Sequence, residues 1–364
     1  MPAGQLRLEG WAKHTQMFPN QQVIKAILGI CQYSVRFRYE GFWSGIVIHP
    51  NLALAEHDIN LVRSKIASEL SKSQLETYPD YTSLPSHFMV LALGLIDKSD
   101  RGKRRIHHLS YPTGDPTAIN SGIPEKYGAI TYSGIEDAIR AVQVQGQNSI
   151  LMKRDFESAF RHIPISRQDT PLLGFCWKEN YYAECFVPFG LCTAPYIFNL
   201  FAEVFHWVLV NQLKNLNSRA IVIHYLNDFL LVLPPCANPE LHSKIFSLLC
   251  KEVGLTIKLS KNKDGTVVSF AGIEFDTKRM AIRLPEKKLH KAWTMIEQAA
   301  KRKALSLLEI TIITEYLNFI STVIPLGRTF LYRLYNMELY FPPRQSASVK
   351  TNIRGSEEGY SLVG

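Results

Sequence analysis

The sequence predicts an α+β fold in which an antiparallel sheet is backed by helices. Short β-like runs alternate with helical patterns along the middle of the chain. The β-like runs are 149–153, 220–225, 229–233 and 267–273, and the helical patterns between them include 196–212 and 239–253. The chain has 364 residues, of which 46% are hydrophobic and 20% charged, so it can bury a full core. This mixture of elements predicts strands and helices packed in layers.

Composition and periodicity divide the chain into five regions. Residues 1–80 carry helical patterns, such as 59–70, and no recognisable chemistry. Residues 81–127 are basic and rich in Pro and Gly, which predicts an irregular, mobile lobe. The predicted sheet occupies 128–283, helical patterns with Lys and Arg on their polar faces return at 284–342, and the polar stretch 343–364 is predicted to be a disordered tail.

Charge and cysteine content narrow the functional class. The net charge of +9 favours a polyanionic partner, although a merely soluble basic protein is an equal alternative. The six cysteines form no CxxC pair, which favours reduced thiols and an intracellular location over a zinc knuckle. No signal-peptide pattern opens the chain, and its apolar runs are shorter than the ~20 residues that span a bilayer, so a membrane partner is not expected.

Two acidic positions suggest a site. Asp228 lies at the end of the turn 226–228 between two β-like runs, and Asp155 follows the apolar run 149–152. Each has an ordinary alternative, because Asn followed by Asp suits a turn and an acid after a strand often caps a helix. Carboxylates on neighbouring antiparallel strands would, however, supply the oxygen ligands that Mg²⁺ requires. Two such ions can promote phosphoryl transfer.

Three segments in this order resemble the catalytic motifs of reverse transcriptases. Motif A resembles 155–164, motif B resembles 187–199 and motif C resembles 224–232. The segment 270–276 is similar to the primer grip that follows in the family. The segments 105–110 and 325–331 further resemble retroelements of the DIRS type, which use a tyrosine recombinase.

The resemblance implies a right-hand polymerase, with fingers at 81–127, a palm at 128–283 that includes the remaining fingers, and a helical thumb at 284–342. The implied activity is RNA-directed DNA synthesis from deoxynucleoside triphosphates on an RNA/DNA template-primer. Two Mg²⁺ ions, or Mn²⁺ in their place, would be the cofactors. A ribonuclease H and a recombinase of the element would be supplied by another chain.

The same resemblance assigns roles to individual residues. Asp155 and Asp228 are expected to bind Mg²⁺, and Asn227 takes the position of a third catalytic acid. Residues expected at the nucleotide are Lys98, Arg104, Ser158, Ala159, Phe160, Phe189, Gly190 and Lys261. Residues expected at the primer-template are Tyr225, Phe270, Gly272, Lys287, Lys291 and Arg328.

Several of these assignments have structural alternatives. Phe160 is expected to exclude a ribose 2′-hydroxyl, but it is alternatively a packed core aromatic. The Phe189 and Gly190 loop is alternatively an ordinary turn, and the basic residues of the fingers are alternatively solvated charge. For His107 and His108, structural roles are favoured over metal binding, because neighbours on a strand face opposite sides.

Asn227 is the main departure from the family pattern. It removes one negative charge beside ions that together carry +4. At an effective dielectric of ~20 and ~4 Å, one charge pair is worth about 4 kcal/mol, or roughly a thousandfold in rate. The sequence therefore predicts inefficient catalysis, and the alternative function is an impaired relic that binds nucleic acid without efficient polymerisation.

Overall fold

The computed structural model describes residues 6–41, 43–97, 103–115, 117–128, 130 and 134–341. It divides into two compact units. The first unit comprises Met1–Gly134 and Met152–Lys263, and the second comprises Ile135–Leu151 and Asp264–Gly364. None of the described helices is long and apolar enough to cross a membrane.

The elements follow one another in a mixed order. The helices are α1 (Leu8–His14), α2 (Gln21–Tyr33), α3 (Ala53–His57), α4 (Ile59–Ser71), α5 (Ile135–Gln145), α6 (Ala194–Asn215), α7 (Pro239–Val253), α8 (Glu286–Ala300), α9 (Leu307–Ile320) and α10 (Arg328–Leu339). The strands are β1 (Ile46–Ile48), β2 (Leu75–Tyr78), β3 (Phe88–Val90), β4 (Leu93–Asp97), β5 (Lys103–His107), β6 (Ile150–Asp155), β7 (Gly174–Trp177), β8 (Asn180–Glu184), β9 (Ile221–Tyr225), β10 (Asp228–Leu233), β11 (Lys263–Gly265), β12 (Val267–Phe270), β13 (Ile273–Asp276) and β14 (Ala281–Arg283).

The N-terminal segment packs into the first unit and adds strands to the expected helices. Trp11 of α1 is fully buried, and its ring lies edge-on to Phe201 of α6 at 5.3 Å. A Cβ on Gly10 would lie 2.0 Å from the backbone oxygen of Glu252, so α1 approaches α7 too closely for a larger residue. Strand β2 pairs antiparallel with β8, and β1 pairs parallel with β3. These strands complete a five-stranded sheet of order β1-β3-β7-β8-β2.

The expectation of irregular structure at 81–127 is wrong for much of this segment. It contains β3 and the antiparallel pair β4 and β5. Strand β5 escaped prediction because it reads Lys-Arg-Arg-Ile-His rather than alternating apolar and polar residues. The inward position is taken by Arg105, which is 8% exposed and paired with acidic side chains. A buried arginine with counter-charges thus replaces the usual apolar residue.

The centre of the first unit is a sheet in which β10 lies between β6 and β9. Phe156, directly after β6, contacts Phe205 of α6, Phe229 of β10 and Phe246 of α7 with ring centroids 5.3 to 5.9 Å apart. All four rings are at most 1% exposed. This aromatic cluster fixes the two long helices against the strands that carry the acidic residues.

The second unit contains a three-stranded antiparallel sheet of order β12-β13-β14 and helices α5 and α8 to α10. The predicted strand 267–273 is two strands, because Ala271 and Gly272 both adopt positive φ and reverse the chain. Helix α9 begins with a capping box in which the side chains of Ser306 and Glu309 each accept from the other's backbone N–H.

Candidate active site

A tight hairpin brings Asp228 next to the end of β6. Tyr225 ends β9 and pairs with Asp228 at the start of β10, so only two residues form the turn. Leu226 in this turn has φ +52°. The backbone N–H of Phe156 donates to the carbonyl oxygen of Asn227 at 3.1 Å. The end of β6 is therefore fixed against the turn, with Asp155 beside it.

Each of the two aspartates has a lysine partner. Lys261 Nζ lies 2.8 Å from Asp155 Oδ2, and Lys153 Nζ lies 3.3 Å from Asp228 Oδ2. The sequence analysis did not single out Lys153. The alternation of side chains along a strand could have identified Lys153. It lies two positions before Asp155 on β6, so the two side chains point to the same face of the sheet. The structure thus brings Asp155, Asn227, Asp228 and Lys261 together as expected and adds Lys153.

Asp228 is held in an environment that disfavours its charge. Burial, a hydrogen bond with the Asp155 carboxyl group and the charge of that group raise the pKa of Asp228 to about 6, and Lys153 opposes the shift. Its Oδ1 atom is buried and has no hydrogen-bond partner among the described residues. Buried oxygens of this kind are rarely left unpaired in proteins. The side chains around Asp228 therefore leave its charge incompletely compensated.

The donor set fits a divalent cation. The two carboxylates supply hard oxygen ligands suited to Mg²⁺, and the Oδ1 atom of Asp228 is a buried oxygen with no hydrogen-bond partner among the described residues. The third position is weaker, because Asn227 Nδ2 donates to Asp155 Oδ2 at 3.3 Å and contributes no negative charge. Within the described ranges no group of three or more His, Cys, Asp or Glu side chains is placed to hold a metal ion. This agrees with asparagine standing in the third position.

Phe160 and Phe189, both expected beneath the nucleotide, lie against each other. The ring of Phe160 lies 5.1 Å from Phe189 and 6.0 Å from Phe198 by ring centroids. Phe160 is only partly buried, so the ring both packs and remains accessible. Ser158 adopts φ +49°, and Ala159 is buried.

Gly190 is required by its surroundings. It has φ +110°, and a Cβ atom there would lie 2.5 Å from the carbonyl oxygen of His107. Asn120 holds the loop by donating from Nδ2 to the Gly190 carbonyl at 2.8 Å and accepting from the Cys192 N–H at 2.9 Å. Asn120 was not predicted, and its distance in sequence from the loop left no local signal.

Lys98 and Arg104 are the two residues of the fingers expected at the nucleotide. Lys98 lies outside the described residues. Arg104 lies on β5, between Lys103 and Arg105. Tyr225, expected at the primer, is 39% exposed at the end of β9 and is accessible for contact.

Among the residues of the second unit expected at the primer-template, the assignment of Phe270 is corrected. Phe270 is 1% exposed, so its side chain packs in the interior and is not available for direct contact with nucleic acid. Gly272 has φ +83°, and a Cβ there would meet Lys288 Nζ at 2.1 Å. Lys287 and Lys291 are exposed on α8, and Arg328 is exposed at the start of α10. These cations remain accessible to phosphates.

A buried ion cluster lies elsewhere in the first unit. Glu184 is 0% exposed, and its carboxylate accepts from Arg161 Nη1 at 2.5 Å and Arg105 Nη2 at 3.1 Å. Arg105 also binds Glu69. Burial alone would raise the pKa of Glu184, but the two guanidinium groups outweigh it and hold the pKa well below its usual range. His107 lies against this cluster, donates from Nε2 to the Gly174 carbonyl at 3.1 Å, and has a pKa lowered by burial.

The fold and this site define a polymerase of the right-hand class. The sequence model of the family "Reverse transcriptase (RNA-dependent DNA polymerase)" matches residues 96–305, and the chain belongs to this family. The chain is also 27% identical over 121 residues to the polyprotein P3 of Commelina yellow mottle virus, which covers 33% of the chain and 6% of the polyprotein.

Solved structures show the same fold. The chain resembles the foamy viral protease-reverse transcriptase dRH in complex with ds DNA, with a TM-score of 0.57, 16% identity, and coverage of 92% of this chain and 56% of that one. It also resembles the foamy viral enzyme in complex with an RNA/DNA hybrid, with a TM-score of 0.52, 15% identity, and coverage of 89% and 42%. The chain thus spans about half the length of these relatives.

Proposed function

We propose that the chain is the RNA-directed DNA polymerase domain of a retroelement. The observation that carries this proposal is the juxtaposition of Asp155 and Asp228, with a buried and unpaired carboxylate oxygen, in a chain of the reverse transcriptase family. Substrates would be deoxynucleoside triphosphates and an RNA/DNA template-primer. The foamy viral relatives were solved with ds DNA and with an RNA/DNA hybrid, which supports the same class of partner here.

The chemistry follows from the charges at the hairpin. When bound, two Mg²⁺ ions would activate the primer hydroxyl and stabilise the leaving pyrophosphate. Asp155 and Asp228 would hold the cations, and Lys261 would exchange its contact with Asp155 for one with the nucleotide. Phe160 excludes a 2′-hydroxyl because its partly exposed ring is held between Phe189 and Phe198.

The nucleic acid would be bound by cations that contact its phosphates and do not distinguish one base sequence from another. Lys287, Lys291 and Arg328 are exposed in the second unit and would contact phosphates, so binding would weaken as salt rises. Lys98 and Arg104 would contact the triphosphate, since a guanidinium suits bidentate phosphate recognition. Tyr225 would lie at the primer end.

The DIRS-like subtype is part of the proposal, on the strength of segments 105–110 and 325–331. Under this assignment the same element also encodes a ribonuclease H and a tyrosine recombinase. Mn²⁺ would substitute for Mg²⁺, because a softer and more strongly bound ion depends less on the missing third carboxylate.

A second candidate function is favoured by Asn227. The amide donates to Asp155 and supplies no charge, so the chain would bind primer-template and extend it poorly. This impaired relic and the efficient enzyme share every contact with nucleic acid. They differ only in the rate of the chemical step.

Primer extension tests both candidates. The native chain, Asp155→Asn and the exposed control Asp264→Asn would be given an RNA template, a DNA primer and deoxynucleotides in Mg²⁺ and in Mn²⁺. We expect the native chain and the control to extend the primer, more strongly in Mn²⁺, and Asp155→Asn to bind without extending. Salt-sensitive binding with no extension in either metal would identify the relic, and absence of binding at low salt would reject both candidates.

A further inference from the structure

A cleft of about 370 Å³ lies in the first unit, between α2 and the first turns of α6. One wall is the face of α2 that carries Ala26, Gly29 and Ile30, and the segment 34–38 forms a second, loop wall. No described residue of the lining is among those expected at the metal, the nucleotide or the primer-template. The volume lies within the ~300–1,000 Å³ of pockets that hold small organic ligands.

The loop wall of the cleft is fixed by hydrogen bonds. The Val35 N–H donates to the Pro164 carbonyl at 2.8 Å, and the Phe37 N–H donates to Asp169 Oδ2 at 3.1 Å. Arg36 Nε donates to Oδ1 of the same carboxylate at 2.6 Å. The wall is therefore held by the fold itself, and the cleft is formed before any ligand arrives, as is usual for small-molecule sites.

The buried part of the lining is apolar except for one hydroxyl. Val35, Phe37 and Ile197 are at most 6% exposed. Thr193 is 2% exposed, and its Oγ1 atom is buried with no hydrogen-bond partner among the described residues. Thr193 holds the N-cap position of α6, yet its side chain makes no cap bond. Because buried hydroxyl groups are normally paired, this one indicates a polar atom of a ligand in the cleft.

A glycine inside α2 independently indicates a ligand. Gly29 lies in the interior of this 13-residue helix, where glycine is less favourable than any residue but proline. A Cβ atom on Gly29 would have no heavy atom within 4 Å among the described residues. Neither a close neighbour nor a positive φ therefore requires glycine here. A ligand that approaches the α2 backbone from within the cleft would require it.

The charges at the rim favour an anionic ligand. Arg36 and Arg38 are exposed and line the cleft, and none of the described lining residues is acidic. Asp169 lies within 4.0 Å of Arg36 but acts on Arg38 only at longer range. A guanidinium group binds carboxylates through two parallel hydrogen bonds. The rim therefore suits a carboxylate head group, with Arg38 as its main partner.

The scarcity of polar groups in the buried lining favours a free acid over a peptide. A peptide segment would bring one N–H and one C=O group per residue into the cleft, and such groups are costly when they are buried without partners. Thr193 alone among the buried lining residues offers a side-chain hydrogen-bonding group. A hydrocarbon chain with one terminal carboxylate needs no further partners.

We propose that this cleft binds a small carboxylic acid with an unbranched hydrocarbon chain, of which a medium-chain fatty acid is the simplest example. The chain packs on the apolar lining beside Gly29, and the carboxylate accepts from Arg38 and from the Thr193 hydroxyl. Residues 1–80, for which the sequence indicated no chemistry, thereby gain a ligand-binding role. Binding requires neither a metal ion nor nucleic acid, so this inference does not depend on the proposed polymerase activity.

Calorimetric titration of the full chain with decanoate, below the concentration at which it forms micelles, tests the proposal. We expect one saturable site in the native chain and binding at least about tenfold weaker in Gly29→Leu, because leucine fills the open space. This variant should melt no lower than the native chain, since leucine favours a helix. The control Gln22→Leu places the same side chain at an exposed position of α2 outside the lining and should bind normally. No saturable binding by the native chain, or equal affinities in Gly29→Leu and the native chain, would overturn the proposal.

A second pair of variants tests the head group without altering the apolar lining. Arg38→Gln should bind decanoate about tenfold more weakly, whereas Lys25→Gln removes an exposed cation of α2 outside the lining and should bind normally. Decanol, which lacks the charge, should bind the native chain more weakly than decanoate and should not respond to Arg38→Gln. Equal binding of decanol and decanoate, or equal losses in both variants, would overturn the assignment of a carboxylate ligand.

Discussion

Two carboxylates of the first unit, one buried and one half-buried, behave in opposite ways. Glu184 lies between two guanidinium groups, which hold its pKa well below the usual range in spite of complete burial. Asp228 is less deeply buried, yet burial and the Asp155 carboxyl group raise its pKa to about 6 against the single opposing lysine. The number and placement of counter-charges, rather than depth alone, decide which form each acid adopts.

The difference separates a structural charge from a functional one. The carboxylate of Glu184 is paired with Arg105 and Arg161. These ion pairs join β8 to β5 and to the turn after Phe160. Asp228 retains a buried oxygen with no hydrogen-bond partner among the described residues, which under the proposed function would bind a cation. Segment 155–164 connects the two regions, since Asp155 begins it and Arg161 follows six residues later.

Removing the saturated charge should have the largest effect on stability. Glu184→Gln leaves Arg105 and Arg161 buried with one fewer counter-charge, which we expect to cost about 3–5 kcal/mol in the free energy of unfolding. Denaturant unfolding measures it. The exposed control Glu125→Gln should stay within about 0.5 kcal/mol of the native chain. Equal stabilities would show that the cluster contributes no structural energy.

A pair of histidines in the first unit, with Glu203 Oε1 lying 3.6 Å from His224 Nε2, extends the comparison. His206 Nδ1 and His224 Nδ1 lie 2.9 Å apart, and burial lowers the pKa of His206 to about 4. Burial, followed by the charge of His206, lowers the pKa of His224 to about 3.

Both histidines should make stability pH-dependent. Below about pH 6.5 the unfolded chain takes up protons that the folded chain refuses, so stability falls as pH falls from 6.5 toward 4. At pH 5 we expect a loss of up to about 2 kcal/mol for each histidine. Denaturant unfolding at pH 7 and pH 5 measures this slope, and His206→Gln should reduce it. An unchanged slope in that variant would contradict the assignment.

Gly190 lies in the loop between the two regions, and its replacement should have a smaller effect. In Gly190→Ala the Cβ atom would clash with the His107 carbonyl and φ +110° would be strained, at a cost of about 2 kcal/mol. Gly45→Ala is the control, because Gly45 has φ +68° and open space around its Cβ position. We expect the Gly190 variant to unfold at lower denaturant than the control. If the Gly45 variant unfolded at lower denaturant than the Gly190 variant, the contact with the His107 carbonyl would not explain why position 190 is glycine.

The smallest predicted effect concerns sugar selection. Phe160→Val shortens the ring that packs on Phe189, so the preference for deoxy- over ribonucleotides should fall by about tenfold. Phe160→Tyr keeps the bulk and should keep the preference. Single-nucleotide incorporation with each substrate measures the ratio. A preference that survives in the valine variant would assign Phe160 to packing alone.

Local signals explain what the sequence predicted well. Helix α7 runs over 239–253 as predicted, because Asn238 caps its first turn and Gly254 ends it at φ +82°. The hairpin at Asp228 was also predictable, since two apolar runs flank a polar turn. In both cases the information lies within a few residues of the element.

Non-local contacts explain what the sequence did not reveal. The ion cluster joins Glu69, Arg105, Arg161 and Glu184 from four separate segments, and no spacing along the chain announces it. Arg105 occupies a buried position of β5 at which strand alternation predicts an apolar residue. For this reason the sequence did not indicate β5. Phe270 was assigned by motif to the primer, and only the folded structure shows that its ring is buried.

We propose that Asp155 and Asp228 form a metal site that is weakened by Asn227. Primer extension in Mg²⁺ by the native chain beside Asn227→Asp tests it most directly, because the substitution restores one negative charge without changing side-chain size. We expect a gain in rate that approaches roughly a thousandfold when the charge is fully expressed. A rate that stays unchanged, in a variant that binds primer-template as the native chain does, would contradict it.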